Sequence, residues 1–349
     1  MSQSAAPVGV LLVNLGTPAS PSVREVRRYL REFLSDPHVL DLPRIRRWAL
    51  LNLFILPFRP RTSAAIYAKI WTPKGSPLLV NCQALREGLA QQLGPGFRVD
   101  LGMRYGAPTI TAALGRFAEA DVRRIILVPL FPQYASSSTG SAIDHVADIV
   151  AGSPDPPQIQ AVDPFYQDPR FISALTAVTQ PALARFRPDH ILMSYHGLPE
   201  RHIRKTDPTG QHCFRRTGCC DSIEDANRYC YRAHCFATSR ALAAALGLPP
   251  ERYSVSFQSR VGRIPWIRPY TDLVLPELAT RGVRRLAVVC PAFLSDCLET
   301  LEEIGMRARG QWQTLGGDAF SLVPCLNAHP LWLEALATIV QDQSSRVST

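Results

Sequence analysis

Residues 191–202 read ILMSYHGLPERH, an apolar run that stops at a Gly-Leu-Pro turn. The stretch from His190 to Tyr195 is short, apolar and closed by Gly197 and Pro199, the pattern of a buried strand in a parallel sheet. In an open α/β sheet, ligands gather in the crevice beyond the carboxyl ends of the strands, and His196 falls at that point. An imidazole there serves as a metal ligand or takes a proton near neutral pH. The plainer reading is a core or loop histidine held by a hydrogen bond, and the residue alone does not choose between them.

The same alternation of apolar runs and helical patterns extends to both sides. Strands are expected at 9–14, 98–103 and 124–130, then at 158–162, 189–194, 253–258, 285–290 and 320–323. Helices fit 22–34, 77–93, 110–118, 141–150, 169–186, 233–245, 272–281 and 296–310. Strand–helix alternation predicts an α/β fold with parallel sheets and crossover helices. The Pro-rich stretch GSPDPP (152–157) divides it into two doubly wound, Rossmann-like domains, at 8–155 and 156–325. A last amphipathic helix, 329–341, is expected to pack back on the first domain, with DQSSRVST (342–349) a disordered tail. There is no internal repeat of useful strength. Neither GxGxxG nor GxxxxGK[ST] occurs, so no nucleotide is expected despite the architecture.

Composition narrows the function. The chain has 349 residues, 46% hydrophobic and 19% charged, enough for two ordinary cores. Its net charge of +9 is compatible with nucleic acid, an anionic membrane or acidic ligands. The basic residues, however, gather in helical contexts such as VREVRRYLRE (23–32) and RIRR (44–47), with no nucleic-acid motif beside them, so no nucleic acid is expected. The opening MSQSAAPVGVLLVNLG lacks a basic region ahead of a long apolar core, and a cytoplasmic protein is expected. No run approaches the ~20 apolar residues of a membrane span. The nearest, WALLNLFILPF (48–58), reads as a buried helix or as an apolar lip facing a hydrophobic ligand or a membrane surface. That leaves peripheral membrane contact open, and nothing in the sequence signals an oligomeric state.

A second candidate segment follows the strand at 285–290, namely PAFLSDCLETLEE (291–303). Ser295 is placed to cap a helix, on which Asp296, Glu299 and Glu303 share one face at i, i+3 and i+7 while Glu302 points elsewhere. Acidic residues in a first turn also simply favour the helix dipole. This helix opens at a strand's carboxyl end, as His196 does, so the carboxylates and the imidazole can meet. A histidine facing a row of carboxylates suits divalent-cation handling or proton removal from a ligand.

With these segments in hand, the chain resembles the ferrochelatases, which insert ferrous iron into a porphyrin to make heme. The resemblance runs over residues 8–341 and rests on seven motifs in family order: LLVNLGTP (11–18), GSPL (75–78), GMRYGAP (102–108), PLFPQYASSSTGS (129–141), SYHGLPERH (194–202), FQSRVGRIPWIRPYTD (257–272) and PAFLSDCLETLEE (291–303). It implies a chelatase fold with the porphyrin in a cleft between two domains. His196 and Glu299 match the catalytic pair assigned to iron binding or proton abstraction. Asp296 and Glu303 match the acidic line proposed as a proton or metal path. Arg104, Tyr105, Tyr134, Ser138 and Trp266 match porphyrin-contacting motifs, and Phe293 and the lip at 48–58 would wall the macrocycle. Arg104 would anchor a propionate, although an internal salt bridge is the other reading. The implied substrates are protoporphyrin IX and Fe2+. Cys297 stands where many members carry His, as it does in proteobacterial relatives. Leu15 precedes GTP where the coproporphyrin-using branch tends to have Tyr, which favours protoporphyrin IX. The alternatives are a coproporphyrin III ferrochelatase and a non-catalytic tetrapyrrole-binding or iron–sulfur sensor protein, separated by insertion assays with both porphyrins.

Nine cysteines without an export signal argue against disulfides. Five of them crowd into HCFRRTGCCDSIEDANRYCYRAHC (212–235), within an insertion at 205–235. Four thiolates are what a [2Fe–2S] centre requires, and zinc uses the same donors. Some ferrochelatases carry such a cluster, and the resemblance assigns it to Cys213, Cys220, Cys230 and Cys235, with Cys219 as the alternate to its neighbour Cys220. Its role would be structural or sensory, because iron insertion transfers no electron.

Overall fold

The computed structural model describes residues 7–262 and 264–346. Contacts divide the chain into two compact units, one holding residues up to Phe131, Ser136–Asp163 and those from Leu333 onward, the other Pro132–Ala135 and Pro164–Trp332.

The first unit is built on β1 (Val8–Thr17), β2 (Phe97–Gly106), β3 (Arg124–Pro129) and β4 (Gln158–Ala161), all parallel in the order β2-β1-β3-β4. β1 is an almost unbroken apolar run because the sheet is covered on both faces. Leu11 and Val13 pack with Ile110, Phe117, Ile125, Leu127 and Val146 in its core. At the end of β1 the chain passes so close to β2 that a Cβ on Gly16 would lie 1.8 Å from the Tyr105 carbonyl oxygen. Gly16 also has φ +117°, so only glycine fits there.

The second unit repeats the scheme with β5 (His190–His196), β6 (Tyr253–Gln258), β7 (Arg285–Val289) and β8 (Ala319–Leu322), parallel in the order β6-β5-β7-β8. Leu192, Leu275, Leu286, Val288, Ile304 and Trp312 form its core. In both units the second strand lies beside the first, and the chain then reverses direction across the sheet. The switch points therefore fall between β1 and β3, and between β5 and β7.

Several expectations need correction. Residues 158–161 were expected in the second domain, but β4 completes the first sheet through Arg124↔Gln158 to Leu127↔Ala161. The division falls after Asp163. The Pro-rich 152–157 stretch is thus a loop before an edge strand. The last helix runs Pro330–Ser345, so residues 342–345 of the expected tail are helical. Gln343 Nε2 donates to the Ala161 carbonyl (3.1 Å) and the Arg124 guanidinium to that of Ser344, holding the helix end against the first sheet. Residues 347–349 of that stretch lie outside the described residues.

The apolar segment 48–58 is not buried as a helix interior. It continues the helix Arg44–Ala49 into a wide π-helical stretch, Leu50–Ile55, in which Leu51 is buried. Trp48, Leu53, Phe54 and Phe58 are 56–72% exposed. Among the described residues no helix is long and apolar enough to cross a membrane.

Candidate active site

β5 and β7 are hydrogen-bonded neighbours up to Met193↔Val289, so the segments leaving their carboxyl ends flank the second unit's switch point. One carries His196 and the other the acidic motif. His196 is half-buried, and its Nδ1 lies 2.6 Å from the Gly197 carbonyl oxygen. A carbonyl only accepts, so Nδ1 carries the proton and Nε2 presents a lone pair. In the neutral ring Nε2 is then the nitrogen able to bind a cation or accept a proton.

Gln258 joins the histidine to the acidic segment. It pairs with His196 across β5 and β6, and its carbonyl accepts the Gly197 N–H at 2.8 Å. Its side-chain oxygen accepts from Ser194 Oγ (2.8 Å), which leaves Nε2 to donate to the Glu299 carbonyl (2.9 Å) and the Glu303 carboxylate (3.3 Å). Sequence reasoning missed this residue. Its motif was visible, but only pairing in the sheet reveals what an amide there connects.

The acidic helix also differs from its expected form. Ser295 does not cap it; the helix begins at Glu299 as a π-helical run to Ala308, with no side-chain cap. In this wider coil residues four apart remain close, so Glu299 and Glu303 stay on one side. Asp296 does not share that face. It lies in the preceding loop, accepting from Asn327 Nδ2 (2.8 Å) and Thr300 Oγ1 (3.2 Å), while its own N–H donates to Asn327 Oδ1 (2.9 Å). Asn327, with φ +49°, ties this loop to the segment after β8 and carried no signal in the sequence. Glu303 accepts the Ser259 N–H (2.8 Å) and the Ser259 hydroxyl, holding that residue at φ +66°. The carboxylate of Glu299 is half-buried beside the Cys297 thiol, which is pushed well above the ordinary thiol range by burial and then by that carboxylate. Glu302 is buried and paired with Arg307 at 3.1 Å.

Trp266 is fixed against the histidine turn. Its backbone bridges to Pro199, and its indole N–H donates to the Val261 carbonyl at 2.9 Å. Arg263 of the same motif lies outside the described residues. A Cβ on Gly197 would sit 2.7 Å from the Gln258 carbonyl oxygen and 3.3 Å from the Trp266 ring. Gly197→Ala is therefore expected to cost about 1–3 kcal/mol and to displace His196. Thermal melts and metal-insertion rates check this, and a variant equal to wild type in both would refute it. Phe293 packs partly buried on the second core.

In the first unit Arg104 and Tyr105 close β2. Arg104 Nη2 donates to Asp36 Oδ2 (2.6 Å), its Nε to Ser141 Oγ (2.8 Å), and its guanidinium lies over the Tyr105 ring at 4.6 Å. Tyr105, 1% exposed, donates its hydroxyl to the same Asp36 oxygen at 2.7 Å. The internal ion pair is thus observed for Arg104. Tyr105, expected at the ligand, is enclosed within its unit, where its hydroxyl is held by Asp36. Burial pulls Asp36 upward, but hydrogen bonds from Ser141, Tyr105 and the His38 N–H, with the Arg104 charge, bring it below its ordinary 3.8. Ser138 lies half-buried in the turn Ser136–Gly140. Tyr134 is half-buried in the short segment assigned to the second unit.

The cysteine loop is ordered by buried Asp207, which accepts the N–H groups of Thr209, Gly210, His212 and Cys213 at 2.8–3.2 Å. These bonds, with the Thr209 hydroxyl, hold its carboxyl far below the usual range despite burial. Cys213, Cys220, Cys230 and Cys235 are buried and not disulfide-bonded. The Cys230 thiol interacts with those of Cys213 and Cys220, and the Cys219 sulfur lies 3.9 Å from that of Cys220. The Cys235 thiol instead bonds the Tyr231 hydroxyl. Arg232 Nη1 donates to Cys220 Sγ at 3.1 Å. Among the described residues no group of three His, Cys, Asp or Glu is set to hold a metal ion. Buried thiols in mutual contact, with a cation donating to one sulfur, nevertheless fit the donor chemistry of an iron–sulfur centre.

Comparison with known proteins gives this arrangement its class. The sirohydrochlorin chelatase SirB of Bacillus subtilis subspecies spizizenii, solved in complex with cobalt, superposes with a TM-score of 0.55 over 97% of this chain and 96% of its own, at 12% identity. The fold is that of the chelatases. The ferrochelatase family model matches residues 7–344. The ferrochelatase of Coxiella burnetii (strain Dugway 5J108-111) is 51% identical over 334 residues, 96% of this chain and 93% of that protein. That of Legionella pneumophila (strain Lens) is 46% identical over 343 residues, 96% and 99% of the two chains. This chain belongs to the ferrochelatase family, metal-insertion lyases of heme biosynthesis that place ferrous iron in a porphyrin.

Proposed function

We propose that the chain inserts Fe2+ into protoporphyrin IX at the carboxyl edge of its second sheet, with His196 and Glu299 as the catalytic pair. The observation that carries this is the His196 tautomer, with Nδ1–H on the Gly197 carbonyl and Nε2 left as the acceptor, at a switch point whose other flank carries the acidic segment. Insertion exchanges two pyrrole protons for one Fe2+. Nε2 takes a pyrrole proton or hands over the metal, and the Glu299 carboxylate offsets the positive charge of the iron and of the imidazolium. Glu303, hydrogen-bonded to Gln258 and Ser259, and Asp296, held by Asn327 in the loop before that helix, are read as a polar route outward for the protons. Trp266, Phe293 and Tyr134, all of the second unit, supply flat apolar surface for the macrocycle. Arg104 and Tyr105 act through the Asp36 network. The test is anaerobic insertion with ferrous iron and either porphyrin. Heme from protoporphyrin IX in preference to coproporphyrin III supports the reading; coproporphyrin preference reverses the substrate. Porphyrin binding without insertion would instead make this a carrier or sensor.

The cysteine loop is read as the seat of a [2Fe–2S] cluster on Cys213, Cys220, Cys230 and Cys235, with Cys219 as the alternate to Cys220. When bound, the cluster would cross-link the loop to the start of the helix Tyr231–Ala245. Freshly prepared protein is expected to show iron–sulfur absorption bands that Cys230→Ser removes. Colourless protein with stoichiometric zinc would overturn the assignment, and Cys219→Ser against Cys220→Ser decides between those neighbours.

The enzyme is further read as cytoplasmic and peripheral to a membrane. Exposed Ile45, Trp48, Leu53, Phe54 and Phe58, flanked by Arg44, Arg46, Arg59 and Arg61, combine apolar area with positive charge, as a membrane-surface segment requires.

A further inference from the structure

We propose that the cysteine loop positions Tyr134 through His234 and Tyr229, so that the state of the loop sets porphyrin affinity. The proposal rests on the readings that Tyr134 meets porphyrin and that the loop holds a cluster.

Three contacts join the 132–135 segment to the loop and its helix. The Tyr134 N–H donates to His234 Nδ1 at 3.2 Å. The Tyr134 ring packs on Tyr229 with centroids 5.1 Å apart. Gln133 Nε2 donates to Thr238 Oγ1 at 2.9 Å. Residues 229, 234 and 238 surround two of the proposed cluster ligands. Tyr229 precedes Cys230, His234 precedes Cys235, and the His234 N–H donates to the Cys230 carbonyl at 3.0 Å.

His234 suits this task for a reason beyond burial. Its Nε2 lies 2.8 Å from the Arg228 carbonyl oxygen, which only accepts, so Nε2 carries the proton and Nδ1 is the acceptor that the Tyr134 N–H requires. The ring is stacked on Tyr166 at 3.7 Å with an 11° tilt, so it cannot swing away without moving its helix. One imidazole thus receives the substrate segment on one nitrogen and grips the loop, at Arg228, with the other. A shift of the Cys230 turn is passed to Tyr134 through a rigid ring. His234 and Tyr229 are positioning residues, acting through Tyr134.

The experiment is steady-state insertion into protoporphyrin IX, anaerobic, with the full chain and its cluster content followed by visible absorption. Tyr134→Ala, His234→Ala, His234→Asn, Tyr229→Leu and Cys230→Ser are compared. His234→Ala and Tyr229→Leu are expected to raise the porphyrin KM about tenfold and about threefold, with kcat held within about twofold. His234→Asn keeps an acceptor near the Nδ1 position and is expected to recover most of the loss. Cys230→Ser should raise KM in the wild-type background and add little to His234→Ala, because both act through one contact. If Tyr134→Ala leaves KM unchanged, the reading of Tyr134 has failed and the proposal with it. If Tyr134→Ala raises KM while the His234 and Tyr229 variants match wild type, the positioning role alone is refuted. Should His234→Ala not fold, the exposed Tyr229 side chain still decides. Protein that never carries a cluster sinks the cluster reading, and full additivity of Cys230→Ser with His234→Ala sinks the coupling.

Discussion

His196→Ala is expected to lower the rate of iron insertion by about two to four orders of magnitude, the range that a positioned acid–base group contributes. Porphyrin binding should persist, since the flat apolar surface of Trp266 and Phe293 is untouched. The reason lies in a single hydrogen bond. With Nδ1 tied to the Gly197 carbonyl, Nε2 is the nitrogen that presents a lone pair, and alanine removes it. Single-turnover insertion with ferrous iron separates this from a binding defect, because the rate falls at saturating porphyrin. Near-normal turnover would remove His196 from the mechanism, leaving the Glu299 segment to explain proton removal.

Asp36→Ala is expected to be the most destabilising change in the first unit. Asp36 accepts from Ser141 (2.6 Å), Tyr105 (2.7 Å), the Arg104 guanidinium (2.6 Å) and the His38 N–H (2.7 Å), and its side chain is 2% exposed. Removing it leaves a largely buried guanidinium and a buried phenol without their acceptor, at a cost of about 3–5 kcal/mol. For a unit of this size that lowers the melting temperature on the order of 10 °C. The same network sets a pH dependence. The folded carboxyl lies below its ordinary 3.8, so the unfolded chain binds the proton more tightly. The stabilisation is complete above that value and is lost as pH falls below it through the depressed folded value. Acid unfolding of wild type should carry this component, and Asp36→Ala should flatten it. A melting temperature unchanged at pH 7 would show that the pair contributes nothing net.

Much of the fold is legible in the chain because apolar periodicity and Gly/Pro punctuation are local. The run that ends at His196 is a strand, and the alternation around it gives parallel sheets. Where the reading went astray, the missing information was partner choice. The 158–161 strand has the same local pattern whichever sheet it joins, and only hydrogen bonding to β3 assigns it. The acidic motif was recognisable, but α-helical spacing put Asp296 beside Glu299 and Glu303. A wide helix starting three residues later, with Asn327 reaching across from another loop, separates them.

Alone, the sequence determined the α/β class, the switch-point histidine, the acidic segment after β7 and the cysteine-rich loop, because each is written in contiguous residues whose chemistry does not depend on distant partners. Only the tertiary structure decided that the two units share one strand order despite no visible sequence repeat. It alone gave His196 its tautomer, linked the histidine strand to the acidic helix through Gln258, and enclosed Tyr105 behind Asp36. The tautomer follows from a turn that folds the ring onto its neighbour's carbonyl, and the other features are hydrogen bonds between residues tens of positions apart, which leave no periodic trace in a linear chain.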